Sequence, residues 1–250
     1  MRILLSNDDG YHAPGINVLA DLLKKDHDVI VIAPDRERSA CSHGITLKET
    51  IAMELIKKEE NITVYSISGT PADSVKIALD KLKDDPPDIL ISGINKGQNL
   101  GIDSRYSGTV AAGFEGVIRG IPSFALSLFL SKEEMLFENA AIHGCKIIMK
   151  LLKSDFDFNR TLVNINVPNT VDIKGIKITR LNKNLYNDTY PSIEKIDGKD
   201  ILKPQGSLVV KDIEDDVDYE AVTHGFISVT PFKLDQTEYE KIDSLNKILN

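Results

Sequence analysis

Two cysteines in 250 residues, Cys41 and Cys145, are too few and too far apart for a disulfide framework or a zinc site. Such sparse thiols suit a reducing compartment. Positive charge is also short: the formal net charge is -8 and no basic block occurs. Binding to a nucleic-acid polymer is disfavoured, because it needs a basic face that releases counterions. No apolar run approaches the ~20 residues of a spanning helix. The N-terminus lacks the positive region, apolar core and cleavage site of a signal peptide. The expectation is a cytoplasmic protein with no membrane contact.

Missing motifs narrow the chemistry further. The stretch from Gly10 to Gly15 is not followed by Lys-Ser or Lys-Thr, so no Walker loop is present. No Gly-x-Gly-x-x-Gly follows a strand, which counts against a dinucleotide-dependent oxidoreductase. The Gly-x-Ser-x-Gly elbow of serine hydrolases is absent. Asp8 and Asp9 are adjacent, so the Asp-x-Asp-x-Thr of haloacid-dehalogenase phosphatases is absent too.

What is present is an ordinary globular composition, 42% hydrophobic and 27% charged. The length suits one α/β domain carrying a smaller appendage. Residues 3–5 are a short apolar run that reads as a buried strand ending in Asn7-Asp8-Asp9-Gly10. Residues 15–25 place Ile16, Leu19, Ala20, Leu22 and Leu23 on one helical face, and residues 28–33 form a second apolar strand. Strand, helix and strand in some 30 residues make a βαβ unit with a right-handed crossover. Residues 45–56 are expected to be extended and to pair with 62–67. Thr70, Pro71 and Asp73 carry the signature of a capped helix running to residue 83.

A strand at 88–92 leads into a long loop containing Gly93, Gly97 and Gly101. Helix 110–119, rich in small residues, strand 121–128, helix 133–152 and strand 162–167 continue the alternation. The expected class is α/β, a mostly parallel sheet flanked by helices. Beyond Pro168 the pattern loosens into strands at 176–181, 208–211 and 226–230 and a helix at 238–249. Residues 1–168 are therefore expected to form the catalytic core. Residues 169–250 would be an extension that packs on the core and serves in oligomerisation.

Two neighbouring carboxylates at the mouth of a strand repel each other unless a cation or proton offsets them. Hard divalent cations such as magnesium or manganese prefer oxygen ligands, so Asp8 and Asp9 read as half of a metal site. The plainer reading is a solvated turn. Ligands of open α/β sheets bind beyond the carboxyl ends of the strands. Ser39 follows the second strand and Asn95 follows strand 88–92, so both bring oxygen atoms to the same edge. Ser107-Gly108-Thr109 opens a helix whose amides attract anions, and Gly108 lets a phosphate come near. His12 and His43 lie in the same loops and are candidates for proton transfer, although loop histidines commonly do no chemistry.

These motifs together resemble the SurE family (survival protein E), metal-dependent nucleotidases of the 5′/3′-nucleotidase type. The resemblance runs through Asn7 to Gly10, Ala33 to Ser39, Ser68 to Asp73, Ser92 to Gly97, Asn99 to Gly101 and Tyr106 to Val110. It continues at Asn164 to Pro168, Asp218 to Val222 and Gly225 to Pro231, with 170–217 the least recognisable part. It implies a Rossmann-like core whose C-terminal extension is exchanged between subunits of a homodimer or tetramer. It also implies one divalent cation (Mg2+ or Mn2+) per subunit, bound by Asp8, Asp9, Ser39 and Asn95. Phosphate would be held by Asn95, Ser107, Gly108 and Thr109.

The implied reaction is that of a phosphoric monoester hydrolase. Nucleoside monophosphates would yield nucleoside and phosphate, with side activity on other phosphate esters and polyphosphate. Asp8 or Asp9 would orient or deprotonate the attacking water, or attack directly; the residues leave this open. The rival is a non-catalytic nucleotide sensor using the same loops. Cys41 stands where family members vary, and affects the expected base and ribose contacts nearby.

Overall fold

A computed structural model describes residues 1–183, 185–209 and 213–250. The apolar runs become the inner strands. β1 (Arg2–Ser6) and β2 (Asp28–Pro34) pair in parallel, with Leu4 opposite Ile30. The connecting helix α1 (Pro14–Leu23) buries Ile16, Leu19, Ala20 and Leu23, and Leu22 is partly buried. β1 is apolar throughout because both its faces are covered. Ile3 and Leu5 join one core cluster and Leu4 another, as alternation along a strand requires. Each such fully buried side chain stabilises the fold by roughly 1.5–3 kcal/mol.

β3 (Met53–Glu59) and β4 (Ile62–Ile67) form the expected hairpin, and β4 extends the parallel sheet beside β2. β3 begins later than residue 45, however. Leu47 is 83% exposed, so this stretch has no apolar face to hold on the sheet. α2 (Pro71–Lys81) carries the expected capping box: Thr70 Oγ1 accepts from the Asp73 amide and Asp73 Oδ2 from the Thr70 amide, at 3.1 and 3.0 Å.

β5 (Ile89–Lys96) runs past residue 92, so Gly93 and Asn95 belong to a strand and not to the expected loop. A register shift between these two residues marks a bulge, which re-aims the strand end. α3 (Gly108–Ile118), β6 (Ser123–Leu128), α4 (Phe137–Leu152) and β7 (Thr161–Val167) complete the alternation. α4 starts at Phe137, four residues later than expected. α3 lies close on the sheet, where a Cβ at Gly116 would stand 2.2 Å from Ser123 Oγ.

The remainder contains β8 (Gly175–Ile178), β9 (Leu185–Thr189), β10 (Ser192–Ile196), β11 (Lys199–Leu202), β12 (Gln205–Val209), α5 (Asp218–Thr223), β13 (Phe226–Lys233) and α6 (Ile242–Leu249). β10 pairs with β11 and β9 with β12, both antiparallel. The strand expected at 208–211 reaches Val209, and residues 210 and 211 lie outside the described residues. The strand expected at 176–181 stops at Ile178. Elements β9, β10, β11 and α5 were not expected, because they are short and carry no clear apolar alternation.

One nine-stranded sheet has the order β3-β4-β2-β1-β5-β6-β7-β13-β8. From β4 to β7 the strands are parallel; β3 and β13 pair antiparallel with their inner neighbours, and β8 is parallel to β13. The fold is thus α/β with a mostly parallel mixed sheet. Strand order reverses between β1 and β5, so the carboxyl ends of those two strands flank the switch point. Among the described residues no helix is long and apolar enough to cross a membrane.

Candidate active site

Asp8 and Asp9 sit at that switch point. Asn7, fully buried, closes the turn on itself: its Nδ2 donates to the Gly10 carbonyl at 2.9 Å and its Oδ1 accepts from the Gly10 amide at 3.2 Å. The turn is therefore a rigid mount for the two carboxylates. Asp8 is 4% exposed. Its Oδ1 accepts from Thr109 Oγ1 at 2.6 Å and its Oδ2 from the Thr109 amide at 3.2 Å. The positive end of α3 is aimed at this carboxylate. Burial nonetheless outweighs these bonds and pushes the Asp8 carboxyl above the usual carboxylate range.

Asp9 reaches across the switch point, its Oδ2 accepting from the Lys96 amide at 2.9 Å. Its pKa is raised to about 6, first by burial and then by the charges of Asp8 and Glu37, against the pull of the Lys96 amide. The loop after β2 is tied in as well, since the Arg38 amide donates to the Asp8 carbonyl at 2.7 Å. Ser39 is exposed and its hydroxyl donates to Glu37 at 2.7 Å. Asn95 lies near the end of β5 and donates from Nδ2 to the Gly97 carbonyl at 2.8 Å. Among the described residues nothing donates to its Oδ1.

The three loops named from the sequence thus meet, and their contents suit a hard cation. Two adjacent carboxylates with raised affinity for protons are short of positive charge. A hydroxyl and an amide oxygen are the other donors within the same loops. No group of three His, Cys, Asp or Glu side chains gathers among the described residues, so a soft-metal cage is not what these side chains build.

At the start of α3 the geometry differs in detail from a bare anion site. Ser107 caps its own helix, accepting from the Val110 amide at 3.1 Å. Thr109 is engaged by Asp8. A Cβ at Gly108 would stand 2.9 Å from Asp8 Cβ, 3.0 Å from Asp8 Oδ2 and 3.0 Å from Cys41 Sγ. The glycine is needed so that helix and carboxylate can touch, which the expectation of phosphate access alone did not include.

The histidines lie differently. His12 is exposed and edge-on to Tyr11. His43 Nε2 is 2.9 Å from Oε1 of buried Glu115, on α3, rather than beside the carboxylate pair. Sequence reasoning missed Glu37, two residues before Ser39, and Glu115, hidden among the small residues of its helix. It also missed the Lys96 amide, which no side-chain pattern could reveal.

A parallel α/β sheet with a buried carboxylate pair at its switch point defines a class of enzyme-like sites rather than a single protein. Comparison with known proteins makes this specific. The family described as Survival protein SurE matches residues 3–188. A protein of Clostridium botulinum (strain ATCC 19397 / Type A) named 5′-nucleotidase SurE is 41% identical over 251 residues, covering 99% of both chains. One of the same name from Caldanaerobacter subterraneus subsp. tengcongensis is 41% identical over 248 residues, covering 98% of this chain and 96% of its own. The crystal structure of the SurE protein from Aquifex aeolicus superposes with a TM-score of 0.86 at 38% identity, covering both chains completely. The chain belongs to the Survival protein SurE family.

Proposed function

We propose that this protein is a phosphoric monoester hydrolase, a divalent-cation-dependent 5′/3′-nucleotidase that releases phosphate from nucleoside monophosphates. The observation that carries the proposal is the Asp8–Asp9 pair, buried at the switch point and faced by the start of α3. Relatives named 5′-nucleotidase SurE support the substrate class. Asp8, Asp9, Ser39 and Asn95 would hold one magnesium or manganese ion. Such an ion, when bound, supplies charge that polarises a phosphoryl oxygen.

The protein's own groups do the rest. Asn7 fixes the carboxylates in place, and the α3 start, with Ser107, Gly108, Thr109 and nearby Asn95, receives the phosphate end of the substrate. Asp9, half-exposed and less fully hydrogen-bonded than Asp8, is the better placed to accept a proton from water. His12 and His43 take no proton in this scheme. Other phosphate esters and polyphosphate would be side substrates.

Residues 1–168 would carry this chemistry. Residues 169–250 would pack on it and join subunits as a homodimer or tetramer, with segments exchanged between them. Exposed apolar residues on α6 support this, Leu245 at 54% and Ile248 at 74%. The direct test is release of phosphate from a panel of nucleoside monophosphates with added manganese and with chelator. Cation-dependent turnover is expected. Tight nucleotide binding without turnover under any cation would leave a sensor instead.

A further inference from the structure

A cavity of about 710 Å³ opens beside the candidate active site, between α3, the loop at 42–43, the turn at 104–107 and the segment from Thr230 to Gln236. Ser107 lines it and immediately precedes Gly108 and Thr109. The cavity thus begins one residue step, about 3.8 Å between Cα atoms, from groups packed on Asp8. Whatever organic group is esterified to a phosphate at Asp8 must leave the carboxylates by such a route.

The lining has two characters. Val110, Ala111, Phe114, Leu181 and Phe232 make an apolar wall, with Phe114 half-buried. Polar groups with fixed partners make the rim. His43 is held by Glu115, the Ser42 hydroxyl donates to the Arg105 carbonyl at 2.9 Å, and Arg105 Nη1 donates to Gln236 Oε1 at 2.9 Å. Arg105 and Gln236 are 131 residues apart, so the β13 end of the chain closes the cavity. Cys41 is not part of the lining; its sulfur faces Gly108, on the phosphate side.

Resting on the nucleotidase reading, we propose that this cavity is the nucleoside subsite, with Phe114 the aromatic surface that receives the base. The size falls within the range of small-ligand sites, about 300–1,000 Å³. A mixed wall suits a flat heteroaromatic ring with polar edges joined to a sugar. Bases stack on aromatic side chains and guanidinium planes whatever their identity, so the subsite favours nucleosides as a class over small alkyl esters. An acyl chain would need an apolar sleeve, which the rim interrupts.

The experiment compares kcat/KM for adenosine and uridine 5′-monophosphates with that for glycerol phosphate, with magnesium or manganese present. Wild type should prefer the nucleotides by about tenfold or more. Phe114→Ala should lose about tenfold on nucleotides, the loss expected when one base–aromatic stack is removed, and stay within about twofold on glycerol phosphate. Phe114 also packs on Val117 and Leu162, so Phe114→Leu, which keeps the apolar volume, serves as the fold-preserving arm. In it free adenosine should compete several-fold more weakly than in wild type. Equal losses on both esters, or a folded Phe114→Leu protein with unaltered nucleotide kinetics and adenosine inhibition, would overturn the assignment. Wild type hydrolysing all three esters equally would overturn the subsite and leave a phosphatase; hydrolysis of none would overturn the nucleotidase reading itself.

Discussion

The carboxyl edge of β1 and β5 and the segment from residue 185 to the C-terminus solve opposite problems. At the edge, polar groups are buried and nearly every one has a partner: Asn7 with Gly10, Asp8 with Thr109, Asp9 with Lys96. In the C-terminal hairpins and α6, apolar groups are exposed without cover from the rest of the chain. Ile193 is 59% exposed, Ile248 74% and Leu249 76%. Buried polar atoms are expensive unless bonded, and exposed apolar surface is expensive unless covered. The first region satisfies itself within one subunit, and the second does not.

The largest effect should come from breaking the first region. Asp8→Asn keeps an oxygen for Thr109 and removes a charge that burial disfavours. The fold should remain and thermal stability without cation should not fall. Hydrolysis should nevertheless drop about 10³-fold, measured as phosphate release beside a melting curve. A folded variant with wild-type turnover would remove Asp8 from the site.

Gly108→Val comes next. Its Cβ would strike the Asp8 carboxylate, so cation affinity and turnover should fall together, turnover by about 10²-fold as expected for an ångström-scale misplacement. Calorimetry showing unchanged cation binding alongside lost activity would instead separate the phosphate contact from the carboxylates.

A third test needs no substrate. Asp9 binds its proton more tightly when folded, with a pKa of about 6 against an unfolded 3.8. The folded state gains protons relative to the unfolded state between these values, so stability is lost as pH rises from 4 to 6. After discounting for partial exposure the loss is about 1–2 kcal/mol. Chelated wild type should therefore lose stability relative to Asp9→Asn over that range. Added magnesium or manganese should raise its melting temperature at pH 7 by several degrees. Parallel pH curves for the two proteins would contradict the electrostatics of the pair.

The smallest effect on chemistry should follow from changing the second region. Leu245→Glu combined with Ile248→Glu places charge on the exposed face of α6. Association should weaken by about tenfold or more, read by sedimentation, with turnover per subunit within about threefold of wild type. A wild type that sediments as an active monomer at all concentrations would end the case for a covered α6.

Much of this molecule was legible in its residues, for reasons that act over short distances. Buried strands show as apolar runs because both sheet faces are covered, as at Ile3, Leu4 and Leu5. Thr70 and Asp73 announce a helix start because capping bonds span three residues. A carboxylate pair after a strand is informative because two like charges need an explanation wherever they fall. The hairpins at 185–209 were illegible, since exposed strands carry no core-facing alternation.

Tertiary structure alone decided which distant groups meet. Thr109 joins Asp8 across 101 residues and Lys96 joins Asp9 across 87, and these contacts exist because β1 and β5 are neighbours in the sheet. The same strand order sends His43 to Glu115 and lets Gln236 close a cavity beside Ser107. Periodicity and capping draw on energies set by the nearest few residues, so the sequence states them directly. Strand order depends on the balance of the whole core, and no local pattern contains it.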